Sequence, residues 1–224
     1  MAAIEAIELT KEYSAGVRPF NAVSGASLTV ERGDFVSIMG KSGSGKSTLL
    51  NLIAGLLRPT SGTVRVNGRD VSAMSDGEAS LVRSAEIGYV PQGQSLLGNI
   101  SVAENVALPH ILRGRGAGDP IPRAMDLLER VGIADLADRL PRRLSGGEQR
   151  RAAVARALMN SPSVVIADEP TSDLDSEASA LVMDLLAEIS GEGTAVLMAT
   201  HDPDADRRGG RRLRMDGGRL SETG

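Results

Sequence analysis

The sequence predicts an α/β fold: a mostly parallel sheet, an antiparallel β part near the start, and an α-helical insertion in the middle. Three observations carry that reading. Residues 35–39, 164–167 and 195–199 are short, nearly continuous apolar runs, the pattern of strands covered on both faces. Between the last two lies a stretch, 176–189, with apolar residues at helical spacing. From about 101 to 160 the patterning is helical, cut into pieces by loops containing Gly and Pro.

Each element follows in order. Residues 4–13 alternate roughly between apolar and polar, as a half-buried strand does, and 24–30 do the same. Glu31-Arg32-Gly33-Asp34 is turn chemistry ahead of the buried run 35–39. That run leads into a Gly/Ser-rich loop and then an apolar-periodic helix from about 46 to 56. Residues 64–66 with Asn67-Gly68 suggest another β pair. In the middle, 122–131 and 147–158 have helical spacing, and 114–122 is the clearest break. Residues 213–220 read as a terminal hairpin around Gly217-Gly218. No internal repeat, low-complexity tract or flexible linker divides the chain. One domain is expected over 1–224, with a core from 1–93 and 161–224 and a helical sub-domain over 94–160.

Composition excludes several function classes. With 25 Lys+Arg and 29 Asp+Glu the net charge is −4, against the basic surface a nucleic-acid coat needs. Cysteine is absent, which rules out a disulfide framework, a thiolate zinc site and a cysteine nucleophile. Met1-Ala2-Ala3-Ile4-Glu5 lacks the basic residues of a signal peptide, so none is expected. The longest apolar stretch, 49–57, is interrupted by Asn51 and is too short to cross a bilayer. With 26 Gly and 2% aromatics, the core is expected to be aliphatic and the backbone rich in tight turns.

Gly40-Lys41-Ser42-Gly43-Ser44-Gly45-Lys46-Ser47 fits G-x-x-x-x-G-K-[ST], between a buried strand and a helix. Glycines let successive backbone N–H groups point at one anion, and the helix adds its positive N-terminus. Lys46 is then expected to reach the β- and γ-phosphates of a nucleotide. The Ser47 hydroxyl would ligate Mg²⁺, with Thr48 beside it. The complementary acids are expected at the end of another buried strand, and Asp168-Glu169 closes the run 164–167. Asp168 would hold the Mg²⁺ shell through water, and Glu169, one residue further, would act as general base on the attacking water.

Leu144-Ser145-Gly146-Gly147-Glu148-Gln149 opens the next helix, and with it the chain resembles the ATPase subunits of ABC transporters. The resemblance runs from about 7 to 220, with its motifs in the family's order: 40–48, Gln92 after a strand, 144–149, Asp168-Glu169, Ser172-Asp173-Leu174-Asp175, then His201. It implies a P-loop NTPase (RecA-like) core with an antiparallel β sub-domain and an inserted α-helical sub-domain. It implies ATP and Mg²⁺ as ligands and ATP hydrolysis as the activity. By position, Tyr13 matches the aromatic that stacks on adenine. Gly40, Lys41, Ser42, Gly43, Ser44, Gly45, Lys46, Ser47 and Thr48 match the phosphate loop. Gln92 matches the glutamine that touches Mg²⁺ and the lytic water. Ser145 and Gly147 match residues that contact ATP held by the opposite subunit. Asp175 matches an acid that links two sites across a dimer. His201 matches the histidine that orients the γ-phosphate. The implied catalytic set is Glu169, His201, Gln92 and Lys46, and the implied metal set is Ser47, Gln92 and Asp168.

Three departures stand out: Lys41 where a small residue or Pro is common, Asp173 in place of Ala, Gly or Asn, and no Phe just after Gln92. His110 matches no motif and reads as surface. The sub-group resembled is that of the small lipoprotein-releasing and macrolide-exporting cassettes. The implied partners are transmembrane permease subunits and a second ATPase subunit, in a homo- or heterodimer, without nucleic acid. The implied location is cytoplasmic, peripheral on the inner face of the cell membrane. The alternative is a soluble cassette ATPase acting on DNA or ribosomes. Against it stand the missing zinc cysteines, the lack of sustained heptads and the single cassette. A basic run, Arg207, Arg208, Arg211, Arg212 and Arg214, reads as a solvated edge. A kinase or GTPase on the same loop would leave 144–149 unexplained.

Overall fold

A computed structural model describes residues 2–15, 18–113 and 118–223, so the start of the expected break at 114–122 lies outside the described residues. Strands β1 (Ala2–Ala15) and β2 (Arg18–Glu31) pair antiparallel, and β1 also pairs with β4 (Ser61–Val66). A two-residue strand β5 (Arg69–Asp70) completes a four-stranded sheet of order β2-β1-β4-β5. The β4–β5 turn is Asn67-Gly68, both at positive φ (49° and 77°), as its sequence requires.

The second sheet has order β10-β9-β3-β8-β7-β6. Its strands are β3 (Phe35–Met39), β6 (Ile87–Val90), β7 (Val164–Asp168), β8 (Ala195–Thr200), β9 (Arg211–Asp216) and β10 (Arg219–Glu222). From β9 to β6 every pairing is parallel, and the β9–β10 hairpin alone is antiparallel. Burial on both faces shows in the alternation of β7 and β8. Val165, Ala167, Val196 and Met198 join one apolar cluster with Leu127, Leu128 and Ala152 of the helical region. Val164, Ile166, Ala195 and Leu197 join the other, with Leu49 and Ile53 of helix α1 (Lys46–Ile53) and Ile4 and Leu9 of β1. Helix α1 is thus held between the two sheets, where its first turn meets the end of β3.

The remaining helices are α2 (Asp76–Glu86), α3 (Val102–Arg113), α4 (Ile121–Arg130), α5 (Gly146–Leu158), α6 (Ser176–Gly191) and the short α7 (Pro203–Asp206). Three differences from the sequence reading have physical causes. Helix α1 stops at Ile53, short of 56, because the chain turns at Gly55 with φ 65°. Helix α2 was not expected; a capping box between Ser75 and Glu78 starts it. His110 is half-buried, not on the surface: α3 packs among α2, α4 and α5, and the ring's Nε2 is enclosed without a partner.

Candidate active site

Neighbouring strands in a sheet lie about 4.8 Å apart, so groups at adjacent strand ends fall within reach of one another. Parallel strands place all these ends on one edge, where open α/β sheets bind ligands. Here β3 leads into loop 40–45, β8 into His201, β7 into Glu169, and β6 into Pro91-Gln92. Four sequence-distant motifs therefore converge without any loop longer than the connections require. Gly40 N–H donates to the Thr200 carbonyl at 3.3 Å, tying the first two ends together.

The loop conformation depends on Gly45. It caps α1 at φ 105°, and a Cβ there would lie 2.1 Å from the Ala22 carbonyl oxygen, so no other residue fits. No side chain caps α1. Its first N–H groups are left to an anion, which is the chemistry of a phosphate site.

Lys46 is buried, and its ammonium donates to the Gly40 carbonyl at 2.7 Å and lies 3.3 Å from Glu169 Oε1. The other carboxylate oxygen, Oε2, accepts from the His201 backbone N–H at 3.2 Å and lies 2.8 Å from His201 Nδ1. Glu169 sits at φ 49°, in the left-handed region where a non-glycine residue stores strain of roughly 1–3 kcal/mol. Its N–H donates to Ala199 on β8 at 2.9 Å, and the Ser172 hydroxyl donates to its carbonyl at 3.0 Å. These bonds turn the side chain from the sheet toward Lys46 and His201. Asp168, one residue earlier, is buried, and its Oδ1 has no hydrogen-bond partner. Burial raises its pKa; a hydrogen bond from Ser47 opposes this, and the adjacent Glu169 charge adds to it.

A cleft of about 1310 Å³ runs across these groups. It is lined by Tyr13 and Phe20, directly opposed in the β1–β2 register with ring centroids 5.8 Å apart. Loop 40–48, Gln92, Glu169 and His201 line it as well. Every residue expected to meet nucleotide within one chain is here except Asp168, buried just behind. Ser145, Gly147 and Asp175 are not brought to this cleft. Ser145 caps α5 through a reciprocal box with Glu148, and Asp175 caps α6 by accepting from Ala178 N–H at 2.8 Å. Asp173 sits at φ 62°, a conformation Asp tolerates.

The chain compares closely with known proteins. The family model described as ABC transporter matches residues 23–172. The chain belongs to the ABC transporter family. It is 43% identical over 222 residues to the lipoprotein-releasing system ATP-binding protein LolD 1 of Caulobacter vibrioides, covering 98% of this chain and 95% of that one. It is 42% identical over 218 residues to the macrolide export ATP-binding/permease protein MacB of Nitrosomonas europaea, covering 97% of this chain but 33% of that protein. The dimeric post-hydrolysis structure of the ATP-binding cassette MJ0796, bound to ADP and Pi, superimposes with a TM-score of 0.91 at 36% identity, covering 98% of both chains. The chain is an ATP-binding subunit of an ABC transporter, and its fold is that of an ABC ATPase cassette.

Residues of this ABC subunit that sequence reasoning passed over also line the cleft: Phe20, Asn21, Arg214 and the 215–218 turn. Phe20 stands opposite Tyr13 in the β1–β2 register, which apolar alternation alone does not reveal. Arg214 gave no signal; it belongs to the basic run read as a solvated edge, and the turn of the β9–β10 hairpin brings it to the cleft. The whole run, Arg214 included, is exposed as expected, with Arg207, Arg208 and Arg211 paired to Asp204, Asp184 and Glu222. Among the described residues no three His, Cys, Asp or Glu side chains gather to hold a metal, and no helix is long and apolar enough to cross a membrane. The Asp168 carboxylate with its unpartnered oxygen, the Ser47 hydroxyl and the Gln92 carboxamide form a sparse set of hard oxygen donors. That set suits Mg²⁺, which keeps waters and phosphate oxygens in its shell.

Proposed function

We propose that this subunit binds MgATP in the cleft and hydrolyses it as one of two subunits that drive a transmembrane permease. The observation that carries the reading is the convergence of the phosphate loop, Lys46, Asp168, Glu169 and His201 at one sheet edge. Tyr13 would take the base and 40–48 the phosphates. Ser47, Gln92 and Asp168 would hold Mg²⁺, which when bound neutralises charge on the β- and γ-phosphates. Lys46, paired with Glu169 at 3.3 Å, would transfer to the phosphates and release the carboxylate. Glu169 would then accept a proton from the water that attacks the γ-phosphorus, as the bond to the bridging oxygen breaks. His201, 2.8 Å from Glu169, would orient the γ-phosphate.

Ser145 and Gly147 support a composite site: they lie outside the cleft at the start of a helix that can present N–H groups to an anion on a second subunit. Asp175 would link the two sites. The core, 1–93 and 161–224, and the helical sub-domain, 94–160, would move relative to each other as ATP favours the closed pair. A permease partner and a place on the inner face of the membrane are supported by the relatives, named for lipoprotein release and macrolide export. Leu97, 47% exposed in the loop that follows Gln92, supports a docking point for an apolar segment of that permease.

The test is Glu169→Gln. It is expected to bind MgATP with near-normal affinity and to hydrolyse it at least ~10²-fold more slowly, the lower end for loss of a general base. Near-normal turnover by this variant would remove Glu169 from the mechanism.

A further inference from the structure

The segment from Pro91 to Ser101 joins β6 to α3 and carries Gln92 into the cleft. It lacks an aromatic anchor; Leu96 packs against the helical-side apolar cluster, and its other fastenings are polar. Arg150 of α5 donates to the Pro91 carbonyl at 2.7 Å. Arg156 of the same helix donates through Nη1 to the Ser95 carbonyl at 2.7 Å and through Nη2 to the Ser95 hydroxyl at 2.9 Å. Gln92 hangs exposed between these two fastenings. Further along, fully buried Asn105 of α3 accepts from Leu97 N–H at 2.7 Å and donates to the Leu97 carbonyl at 3.0 Å. All of these holds come from the helical region.

Arg156 is the telling member. Burial lowers its pKa, and among the described residues no carboxylate pairs with it. A half-buried guanidinium set against neutral oxygens is unfavourable unless its hydrogen bonds are well made. Here both go to one residue three positions past Gln92. The same helix begins at Ser145, the residue expected to face nucleotide on the second subunit.

We infer that Arg156, acting on Ser95, is a positioning residue for Gln92, fastening the Gln92 segment to the helix that starts at Ser145. The inference rests on the proposed ATPase reading. Neither Arg156 nor Ser95 lines the nucleotide cleft, so neither acts on nucleotide directly. The plain alternative is that the fork merely stabilises the fold. In that case its loss would not depend on what occupies position 92.

A double-mutant cycle separates the two, with purified subunit, MgATP as substrate, and kcat and KM measured apart. Arg156→Gln is expected to lower kcat about tenfold while KM stays within about twofold, a coupling of ordinary size for residues in one network. In a Gln92→Ala background the same substitution is expected to change kcat by less than about twofold. Ser95→Ala, which removes one of the two bonds, should show a smaller loss with the same dependence on Gln92. If the losses multiply instead, the positioning role is wrong and the proposed hydrolysis stands. If wild-type subunit shows no MgATP hydrolysis at all, the proposed function and this inference fall together. Should Arg156→Gln fail to fold, the Ser95→Ala cycle decides the question by the same criterion.

Discussion

Asp168 and Glu169 are neighbours in sequence with opposite bonding. Glu169 is held by Lys46 and His201, whereas Asp168 keeps one buried oxygen without a partner. Burial raises the Asp168 pKa, so the folded chain holds its proton more tightly than the unfolded chain. The sign follows: this contribution to stability is fully present below the ordinary carboxylate pKa, near ~4. It is lost as pH rises through the elevated folded value. When ionised, the group burdens the nucleotide-free fold and is suited to a cation. Asp168→Asn, which keeps the shape and removes the charge, is expected to raise Tm at pH 7.5 by roughly 2–4 °C, about 1 kcal/mol for a chain this size. The gap over wild type should narrow toward pH 5, and MgATP should stabilise the variant less than wild type. A variant less stable than wild type at both pH values would contradict the assignment of Asp168 as a burdened metal-holding acid.

Three helices begin with the same device. Ser75-x-x-Glu78, Ser101-x-x-Glu104 and Ser145-x-x-Glu148 are reciprocal boxes in which the serine oxygen accepts from the third N–H and the glutamate accepts from the serine N–H. All three were visible as S-x-x-E in the sequence, and the first marked α2, which apolar spacing alone missed because Ala79 and Val82 are its buried residues. The strands at 35–39, 164–168 and 195–200 were legible because burial on both faces makes them nearly continuous apolar runs. The site loop was legible because its glycines, lysine and hydroxyls each have one chemical reason to be there. The Arg214 lining and the Arg156–Ser95 fork were not, since both arise from the packing of elements distant in sequence. One such contact gives a test at this scale. Gly88 of β6 lies under α5, and a Cβ on it would stand 2.4 Å from the Ala157 carbonyl oxygen. Gly88→Ala must lift the helix from the strand and is expected to cost about 1–3 kcal/mol. The measurement is the urea midpoint, which should fall with an unchanged slope. An unmoved midpoint would mean that α5 and β6 can separate freely.

At the scale of the molecule, the chain carries two unlike halves of a proposed site: the cleft along 40–48, and the outward start of α5 at Ser145. If a second subunit completes each cleft, the ATPase rate should rise more than linearly with subunit concentration. A mixture of Lys46→Ala and Ser145→Arg chains should then regain at most one intact site per pair. A rate strictly proportional to concentration, with a monomer seen by light scattering at saturating ATP, would rule out the composite arrangement. The distribution of aromatic rings over the same molecule makes it unusually easy to watch. The chain holds no tryptophan and two tyrosines. Tyr89 donates its hydroxyl to Asn51 at 2.9 Å, outside the cleft, while Tyr13 stands within it beside Phe20. Ultraviolet emission from the protein thus arises from one ring away from the nucleotide and one where a base would stack. If a base stacks on Tyr13 as proposed, that ring gives an intrinsic signal for occupancy, and binding can be followed without attaching a dye.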